Sequence, residues 1–350
     1  MTARRGDAHR IIRWLWTSRR VDARLSRIAL LPFSVVYRVV MVLRAAEYRR
    51  GWFERHELPL PSVAVGNLTV GGSGKTPVAI WIARHYTSRG LVPGILLRGY
   101  GSGDETLVHA RAVPSGAVVA DPDRVAGAEL AVAKGAQVLV LDDAFQRLDV
   151  RRDFNVLVVS AEAMRAVPWT LPAGPWREGW EALGRADAVV VTRKRATAAA
   201  AAELASLLER RVSGPVAVAH LGLTALEGLV SGRRWPADAI RDKRVVAASA
   251  IGDPDAFVGQ VKLAGAAVQV ATWRDHHPYH DEDIEWLAGA ARKADHVVIT
   301  EKDAVKLRGR WPAAAPEPLV AILDLAWERG GEAFIAGLDA VVTPAEILSL

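Results

Sequence analysis

Hydrophobic residues in this chain form short runs that alternate with stretches of helical periodicity. The first runs are rich in valine and leucine and nearly continuous, which is typical of strands buried on both faces of a parallel sheet. The alternation with helices predicts the βαβ units of a doubly wound sheet. The predicted strands are residues 62–65, 94–97, 137–141, 155–159 and 188–192, and the predicted helices are residues 77–88, 123–134 and 196–211.

A second series of apolar runs follows, again with helices between the strands. A turn-rich stretch at residues 214–232 separates the two series and is the predicted boundary. We therefore expect an α/β protein with a P-loop-type parallel sheet lobe, a second smaller α/β lobe and a cleft between them. The second series comprises residues 244–248, 267–271, 296–300 and 319–323, and the predicted units are residues 1–55, 56–218 and 219–350.

The first of these units contains the longest apolar run before the first predicted strand. Residues 28–43 carry one charge, Arg38, and arginines flank the run at Arg27 and Arg44. A spanning helix needs roughly 20 apolar residues, so the run is short for a span but long enough to lie in a membrane interface. The alternative is an ordinary helix packed on the domain. We predict a membrane-associated helix, peripheral or monotopic.

The charge distribution agrees with a lipid partner. Residues 1–55 contain 13 arginines, no lysine and four acids, a net charge of +9 in a chain whose total is +6. The rest of the chain is therefore mildly acidic. Such a basic end indicates an acidic partner, and the adjacent apolar run favours an anionic membrane surface over nucleic acid. The absence of cysteine excludes disulfides, thiolate metal sites and cysteine nucleophiles.

The most specific motif is a glycine-rich loop between the first predicted strand and the first predicted helix. Its glycines allow backbone N–H groups to turn toward phosphate oxygens, Lys75 can reach the β- and γ-phosphates, and the Thr76 hydroxyl can bind Mg²⁺. Thr69 stands where a strict P-loop has its first glycine. The loop predicts a nucleotide phosphate site formed by Gly71, Gly72, Ser73, Gly74, Lys75 and Thr76.

Two carboxylates follow a later strand. Asp142 and Asp143 come directly after the apolar residues 138–141, at the sheet edge where ligands of open α/β sheets bind. Downstream of a P-loop, one of them is expected to hold Mg²⁺ directly or through water. The predicted metal ligands are therefore Thr76, Asp142 and Asp143, and the sequence does not separate the two aspartates.

Eight motifs, in order along the chain, resemble those of the tetraacyldisaccharide 4'-kinase family. The P-loop with Thr69 matches the family's own form of that loop, and the resemblance covers nearly the whole chain. One departure is a shortened segment between Arg98 and Asp104. The motifs are residues 66–77, 98–101, 103–105, 142–146, 171–178, 251–254 with 275–279, and 300–306.

The resemblance implies transfer of the γ-phosphate of ATP to the 4'-hydroxyl of a tetraacyldisaccharide 1-phosphate, giving a lipid A precursor, at the cytoplasmic face of the bacterial inner membrane. It implies that Asp104 is the catalytic base and His276 its partner. Lys75 is the third predicted catalytic residue. The remaining motif positions, expected to contact phosphates or sugar, are Arg98, Arg124 and Glu178.

Other interpretations remain open on the residues alone. Asp104 lies in a sequence that favours a turn and could be a solvated turn residue. Arg98, Arg124 and Glu178 could form structural ion pairs. A regulatory P-loop NTPase or metallochaperone is the alternative function. The sequence around Lys302 and Asp303 lacks the spacing of a guanine-reading motif, which favours ATP. Oligomeric state and acyl-chain preference cannot be inferred.

Overall fold

The fold is that of a computed structural model, which describes residues 11–12, 14–99, 103–162 and 169–342. Tyr100 and Gly101, which belong to one of the family motifs, lie outside the described residues. So do residues 1–10 of the predicted basic segment and residues 343–350 of the predicted second lobe.

Twelve strands in the described part of the chain form one sheet. Eleven follow one another in the order β10-β9-β11-β12-β7-β6-β5-β1-β4-β2-β3, and β8 pairs with β7. All pairings are parallel except β7 with β12 and β7 with β8. The strands are β1 (Ser62–Gly66), β2 (Pro93–Leu97), β3 (Ala117–Ala120), β4 (Val138–Leu141), β5 (Phe154–Ser160), β6 (Ala188–Arg193), β7 (Val216–Gly228), β8 (Arg234–Pro236), β9 (Arg244–Ser249), β10 (Ala267–Thr272), β11 (His296–Thr300) and β12 (Leu319–Arg329).

Helices cover both faces of this sheet, so the inner strands are buried on both sides. All five residues of β1 are buried, as are all four of β4, which explains why these strands are uniformly apolar in sequence. The helices are α1 (Val21–Arg49), α2 (Lys75–Ser88), α3 (Asp104–Ala112), α4 (Arg124–Ala133), α5 (Ala198–Glu209), α6 (Pro254–Leu263), α7 (Asp281–Ala291), α8 (Glu301–Leu307) and α9 (Gly331–Val341).

The long antiparallel ribbon of β7 and β12 determines where a ligand can bind. The first half of β7 pairs in parallel with β6 up to His220. Its second half pairs with the start of β12, which is parallel to β11. The two sets of parallel strands therefore run toward each other, and their carboxyl ends converge near the middle of β7. Since ligands of α/β sheets bind beyond the carboxyl ends, both lobes contribute to one cleft.

The predicted turn-rich boundary is wrong in its local structure. Residues 216–228 form the 13-residue strand β7, and the predicted domain limit between residues 218 and 219 falls inside it. The turn signals at Gly214 and Pro215 mark only the start of the strand. Because β7 pairs in both lobes, the chain crosses from one lobe to the other within a single strand.

Helix α1 contains the predicted membrane segment. It is the one helix among the described residues that is long and apolar enough to cross a membrane, and only 6% of its most apolar window is buried. Side chains such as Phe33, Val36 and Val40 are exposed. On the inner face, the Ser34 hydroxyl donates to the Thr170 carbonyl oxygen at 2.9 Å. One face of α1 is thus docked on the protein, and the other presents apolar side chains to the surroundings.

Candidate active site

The glycine-rich loop joins β1 to α2 at the carboxyl edge of the sheet. Gly74 caps α2 with φ 89°, and Gly71 has φ 124°, a region that favours glycine. A Cβ on Gly74 would lie 2.6 Å from Leu221 Cδ1 of β7, so a side chain there would also collide with the ribbon. The first N–H groups of α2 have no helical partner and can bind an anion, as the sequence predicts.

Lys75 begins α2 and points toward the carboxylates that follow β4. Its Nζ lies 3.5 Å from Asp143 Oδ1, and Arg177 Nη1 approaches the same oxygen at 3.2 Å. Asp143 has φ 53°, an uncommon backbone conformation for aspartate. Two cations therefore share one partly exposed carboxylate next to the phosphate loop. Arg177 was not among the predicted site residues.

Asp142 is buried, at 3% exposure, and its Oδ2 is shared by two partners. Thr76 Oγ1 donates to it at 3.1 Å, and His109 Nε2 lies at the same distance. Burial opposes ionisation of this carboxyl, but the hydrogen bond and charge of His109, together with Lys75 and Thr76, outweigh it and lower its pKa to about 2. Asp142 is therefore ionised at neutral pH.

These oxygens fit a magnesium ion. Asp142 Oδ1 is buried without a hydrogen-bond partner, and the Thr76 hydroxyl lies beside the other oxygen of the same carboxylate. Mg²⁺ prefers oxygen ligands and is usually held by one or two protein groups plus phosphates and water. No cluster of three or more His, Asp or Glu side chains suited to a metal occurs among the residues that the structure describes, which agrees with such a sparse site.

Asp104 is a buried residue at the start of α3, not a solvated turn residue. It is 5% exposed, and its Oδ2 lies 3.0 Å from Lys306 Nζ and 3.5 Å from His276 Nδ1. Lys306 comes from α8, and His276, with φ 58°, comes from the loop after β10. The first lobe thus supplies the carboxylate and the second lobe supplies both of its basic partners.

Two of the three predicted catalytic groups, Lys75 and His276, line one cleft, and Asp104 adjoins it through His276. The walls of this cleft include the phosphate loop, Glu105 next to Asp104, and His276 from the second lobe. Lys302 pairs with Glu105 at 2.8 Å, and Lys194 donates to the Gly72 carbonyl oxygen at 3.0 Å. Neither lysine was predicted to act in the site.

The three predicted substrate contacts have different surroundings. Arg98 is exposed just after β2. Arg124 is 1% exposed and donates to the Asp121 and Asp142 carbonyl oxygens, both at 3.2 Å. Buried Glu178 accepts two hydrogen bonds from Arg185, at 2.8 and 2.7 Å. Arg124 therefore supports the loop that carries Asp142, and the contacts of Arg124 and Glu178 are with the protein itself.

His109 and Lys306 are the principal groups that sequence reasoning missed. His109 lies on α3, five residues after Asp104, and no motif singled it out. Lys306 is the last residue of the motif at residues 300–306. Its position in that motif does not indicate an ion pair with Asp104, some 200 residues earlier in the chain.

The sequence profile of the family described as tetraacyldisaccharide-1-P 4'-kinase matches residues 26–342. The chain belongs to this family. The tetraacyldisaccharide 4'-kinase of Pelobacter propionicus is 34% identical over 322 residues, which cover 85% of this chain and 87% of that protein. The enzyme of Geobacter metallireducens is 36% identical over 312 residues, covering 81% and 89%.

A crystal structure of the family member LpxK from Aquifex aeolicus in complex with ATP has the same fold. It is 26% identical and superposes with a TM-score of 0.71 over 91% of this chain and 99% of that one. The predicted family, fold class and kinase activity are confirmed. The alternative of a regulatory NTPase or metallochaperone is not favoured. This tetraacyldisaccharide 4'-kinase family member is an ATP-dependent enzyme.

Proposed function

We propose that the chain transfers the γ-phosphate of ATP to the 4'-hydroxyl of a membrane-borne tetraacyldisaccharide 1-phosphate, with Asp104 as the base. The observation that supports this assignment is the position of Asp104 beside Lys306 and His276, since His276 lines the cleft that also contains the phosphate loop. A kinase that transfers phosphate to a hydroxyl must remove that proton while it positions the two substrates.

In the proposed step, the acceptor oxygen bonds to the γ-phosphorus as the bond from that phosphorus to the β–γ bridging oxygen breaks. The hydroxyl proton passes to an Asp104 carboxylate oxygen, and ADP leaves with the bridging oxygen. Lys75 and the N–H groups at the start of α2 neutralise the developing negative charge. Thr76 and Asp142, with Asp143 nearby, would hold Mg²⁺, which supplies further charge neutralisation on the phosphates when bound.

His276 and Lys306 have different roles in this proposal. Lys306 is buried with Asp104, and its ammonium group neutralises the carboxylate charge and holds the carboxylate in place before substrate binds. His276 has a half-exposed side chain 3.5 Å from the same oxygen. It can therefore relay the proton from Asp104 to solvent.

Acceptor dependence tests the assignment against a regulatory NTPase. With ATP and Mg²⁺ present, ADP formation should be slow without lipid and should rise in proportion to added tetraacyldisaccharide 1-phosphate in detergent micelles. One ADP should form per phosphorylated lipid. A rapid rate of ADP formation that does not change when acceptor is added would instead favour nucleotide hydrolysis as the function.

Lys306→Met is expected to lower kcat by roughly 10- to 100-fold, because it removes the ammonium group 3.0 Å from Asp104 that fixes this base, and a positioned base is worth about 10²- to 10⁴-fold. The ATP affinity should change little, since Lys306 contacts Asp104 rather than the phosphate loop. Steady-state kinetics with separate titration of ATP and acceptor checks this.

Lys306→Arg is the matched variant because it keeps the charge and a donor. It should recover part of the activity that methionine loses. Equal kcat in the methionine, arginine and unaltered proteins would show that Lys306 does not position Asp104.

We also propose that α1 attaches the enzyme to the cytoplasmic face of the inner membrane. Replacing Val36 and Val40 together by aspartate should release the protein from vesicles that contain anionic lipid. Both side chains are exposed, so the change removes apolar surface and adds repelled charge without touching the Ser34 contact with Thr170. Vesicle co-sedimentation measures the effect.

Activity on a detergent-dispersed acceptor serves as the control, and it should largely survive in the same double variant. If the double variant sediments with vesicles as fully as the unaltered protein, α1 is a packed structural helix and the membrane assignment is wrong.

A further inference from the structure

A second cavity lies outside the catalytic cleft, between the end of α1 and the segment that follows β4. Its lining includes apolar side chains such as Met41 and Leu148. Five guanidinium groups also line it. The arginines that line it are Arg49, Arg55, Arg151, Arg152 and Arg185.

The acids in this cavity do not balance its arginines. Glu178 is engaged by Arg185, and Glu181 pairs at 2.9 Å with Arg38, which does not line the cavity. Arg151 pairs with Glu57, which is likewise not part of the lining. The described part of the cavity therefore keeps an excess of positive charge.

Three of the arginines account for this excess. Among the described residues, Arg49, Arg55 and Arg152 have no carboxylate within ion-pair distance. Arg152 is mostly buried, and its donors are used on Asn155 Oδ1 at 3.0 Å and on backbone carbonyl oxygens. Burial first, and then the positive charges of Arg185 and Arg55, lower the pKa of Arg152 to about 10. Like charges that crowd an enclosed space are stabilised when an anion binds between them.

The cavity and the catalytic cleft share a wall. Arg177 and Glu178 are consecutive, so their Cα atoms are about 3.8 Å apart. Arg177 contacts Asp143 on the nucleotide side, whereas Glu178 closes the arginine-lined cavity. The exposed apolar face of α1 lies along the other side. A ligand with acyl chains on α1 could therefore place a phosphate among the arginines and still reach the cleft with another part.

We propose that the arginine cavity binds a lipid-borne phosphate. Guanidinium groups bind phosphate well because their planar arrangement of donors matches the phosphate oxygens. The apolar side chains of the lining can contact an attached acyl chain. Two sources carry the same chemistry: the 1-phosphate of the acceptor and the headgroup of an anionic phospholipid. The inference rests on the proposed function. Binding of the acceptor's 1-phosphate in the cavity would affect catalysis only if the same acceptor reaches the cleft.

Arg49→Gln and Arg55→Gln test the proposal without disturbing the buried Arg152. Both side chains are exposed and lack acidic partners in the described structure, so the variants should fold normally. Arg50→Gln is the matched control. Arg50 follows Arg49, but it stacks over the Trp52 ring and does not line the cavity. The Arg50→Gln substitution removes the same charge from the same end of α1.

Two assay arms separate the sources. In neutral detergent, tetraacyldisaccharide acceptors with and without the 1-phosphate are compared. If the acceptor phosphate occupies the cavity, each cavity variant should raise KM about 10- to 100-fold for the phosphorylated acceptor only, as expected for loss of one charge-assisted hydrogen bond. In the second arm, micelles with and without anionic phospholipid are compared. If the headgroup occupies the cavity, the variants should lose the stimulation that anionic lipid gives.

Either pattern supports the proposal, provided that Arg50→Gln behaves like the unaltered protein. Cavity variants that match Arg50→Gln in both arms would overturn it. The unaltered protein provides the separate check on the proposed function. If it phosphorylates neither acceptor, the proposed function fails. If it phosphorylates the acceptor while the cavity variants equal the control, only the cavity assignment fails.

Discussion

Replacement of Lys75 by alanine is expected to abolish phosphoryl transfer while leaving the fold intact. The Lys75 ammonium lies at the start of α2, 3.5 Å from Asp143, and belongs to no hydrophobic cluster. Its loss removes the one side-chain cation that the P-loop itself directs at the β- and γ-phosphates. Loss of a single preorganised charge contact of this kind costs about 10²- to 10³-fold or more in kcat.

Product formation and thermal unfolding should be measured on the same preparation. The melting temperature should stay close to that of the unaltered protein, because Lys75 is partly solvent-accessible and its ion pair within the described structure is with the partly exposed Asp143. Lys194→Ala is a useful comparison, since Lys194 also borders the loop but donates to the Gly72 carbonyl oxygen and lies 3.9 Å from Asp253 Oδ2. It should be less damaging. Normal turnover in Lys75→Ala would refute the P-loop assignment.

Asp104→Ala is expected to lower kcat by roughly 10²- to 10⁴-fold, the usual contribution of a positioned general base. ATP binding should be nearly unchanged, because the ion pairs of Asp104 with His276 and Lys306 join it to the second lobe. Nucleotide affinity and kcat must therefore be measured separately. An equal loss in both would make Asp104 a nucleotide or metal ligand instead.

Asp104→Asn distinguishes the charge of this residue from its shape. Asparagine fills the same volume but cannot take up a proton, so it should be as inactive as alanine. Both variants leave the buried Lys306 ammonium without its carboxylate, which costs stability. Combining Asp104→Asn with Lys306→Met removes that unpaired charge. The double variant should regain thermal stability without regaining activity.

The sequence predicts the first lobe well because its signals are local. Buried parallel strands such as β1 and β4 must be apolar throughout, and a glycine-rich loop between a strand and a helix has few other uses. Asp142 follows from the same logic, since the carboxyl end of a strand next to β1 must lie beside the loop.

The ribbon strand β7 was not predictable in the same way. Its burial changes along its length because β12 pairs with residues 218–228 on one side, whereas the other side pairs first with β6 and then with β8. The sequence of such a strand shows no single period, and Gly222 and Gly228 resemble turn residues. Strand β3 was also not predicted. It has four residues and lies at the sheet edge, where a strand is only partly buried and need not be apolar throughout.

The partners of the catalytic groups depend on tertiary contacts that no spacing encodes. His109 reaches Asp142 because α3 folds back over the carboxyl edge of the sheet. Lys306 reaches Asp104 because α8, from the second lobe, packs against α3. Resemblance to the kinase family led to Asp104 and His276, whose pairing now has a geometric basis. Arg124 and Glu178 are engaged in contacts within the protein, whereas the arginine cavity keeps an excess of positive charge. The sequence gives the number of charged residues but not their partners.

The central claim is that this chain phosphorylates the 4'-hydroxyl of an acylated disaccharide. The most direct test is to incubate the purified protein with ATP, Mg²⁺ and tetraacyldisaccharide 1-phosphate and to analyse the lipid by fragmenting mass spectrometry. The expected product is heavier by one phosphate group, with the new phosphate on the sugar distal to the 1-phosphate. An acceptor that lacks the 4'-hydroxyl should give no product. An unmodified lipid, or a phosphate added to any other position, would contradict the assignment.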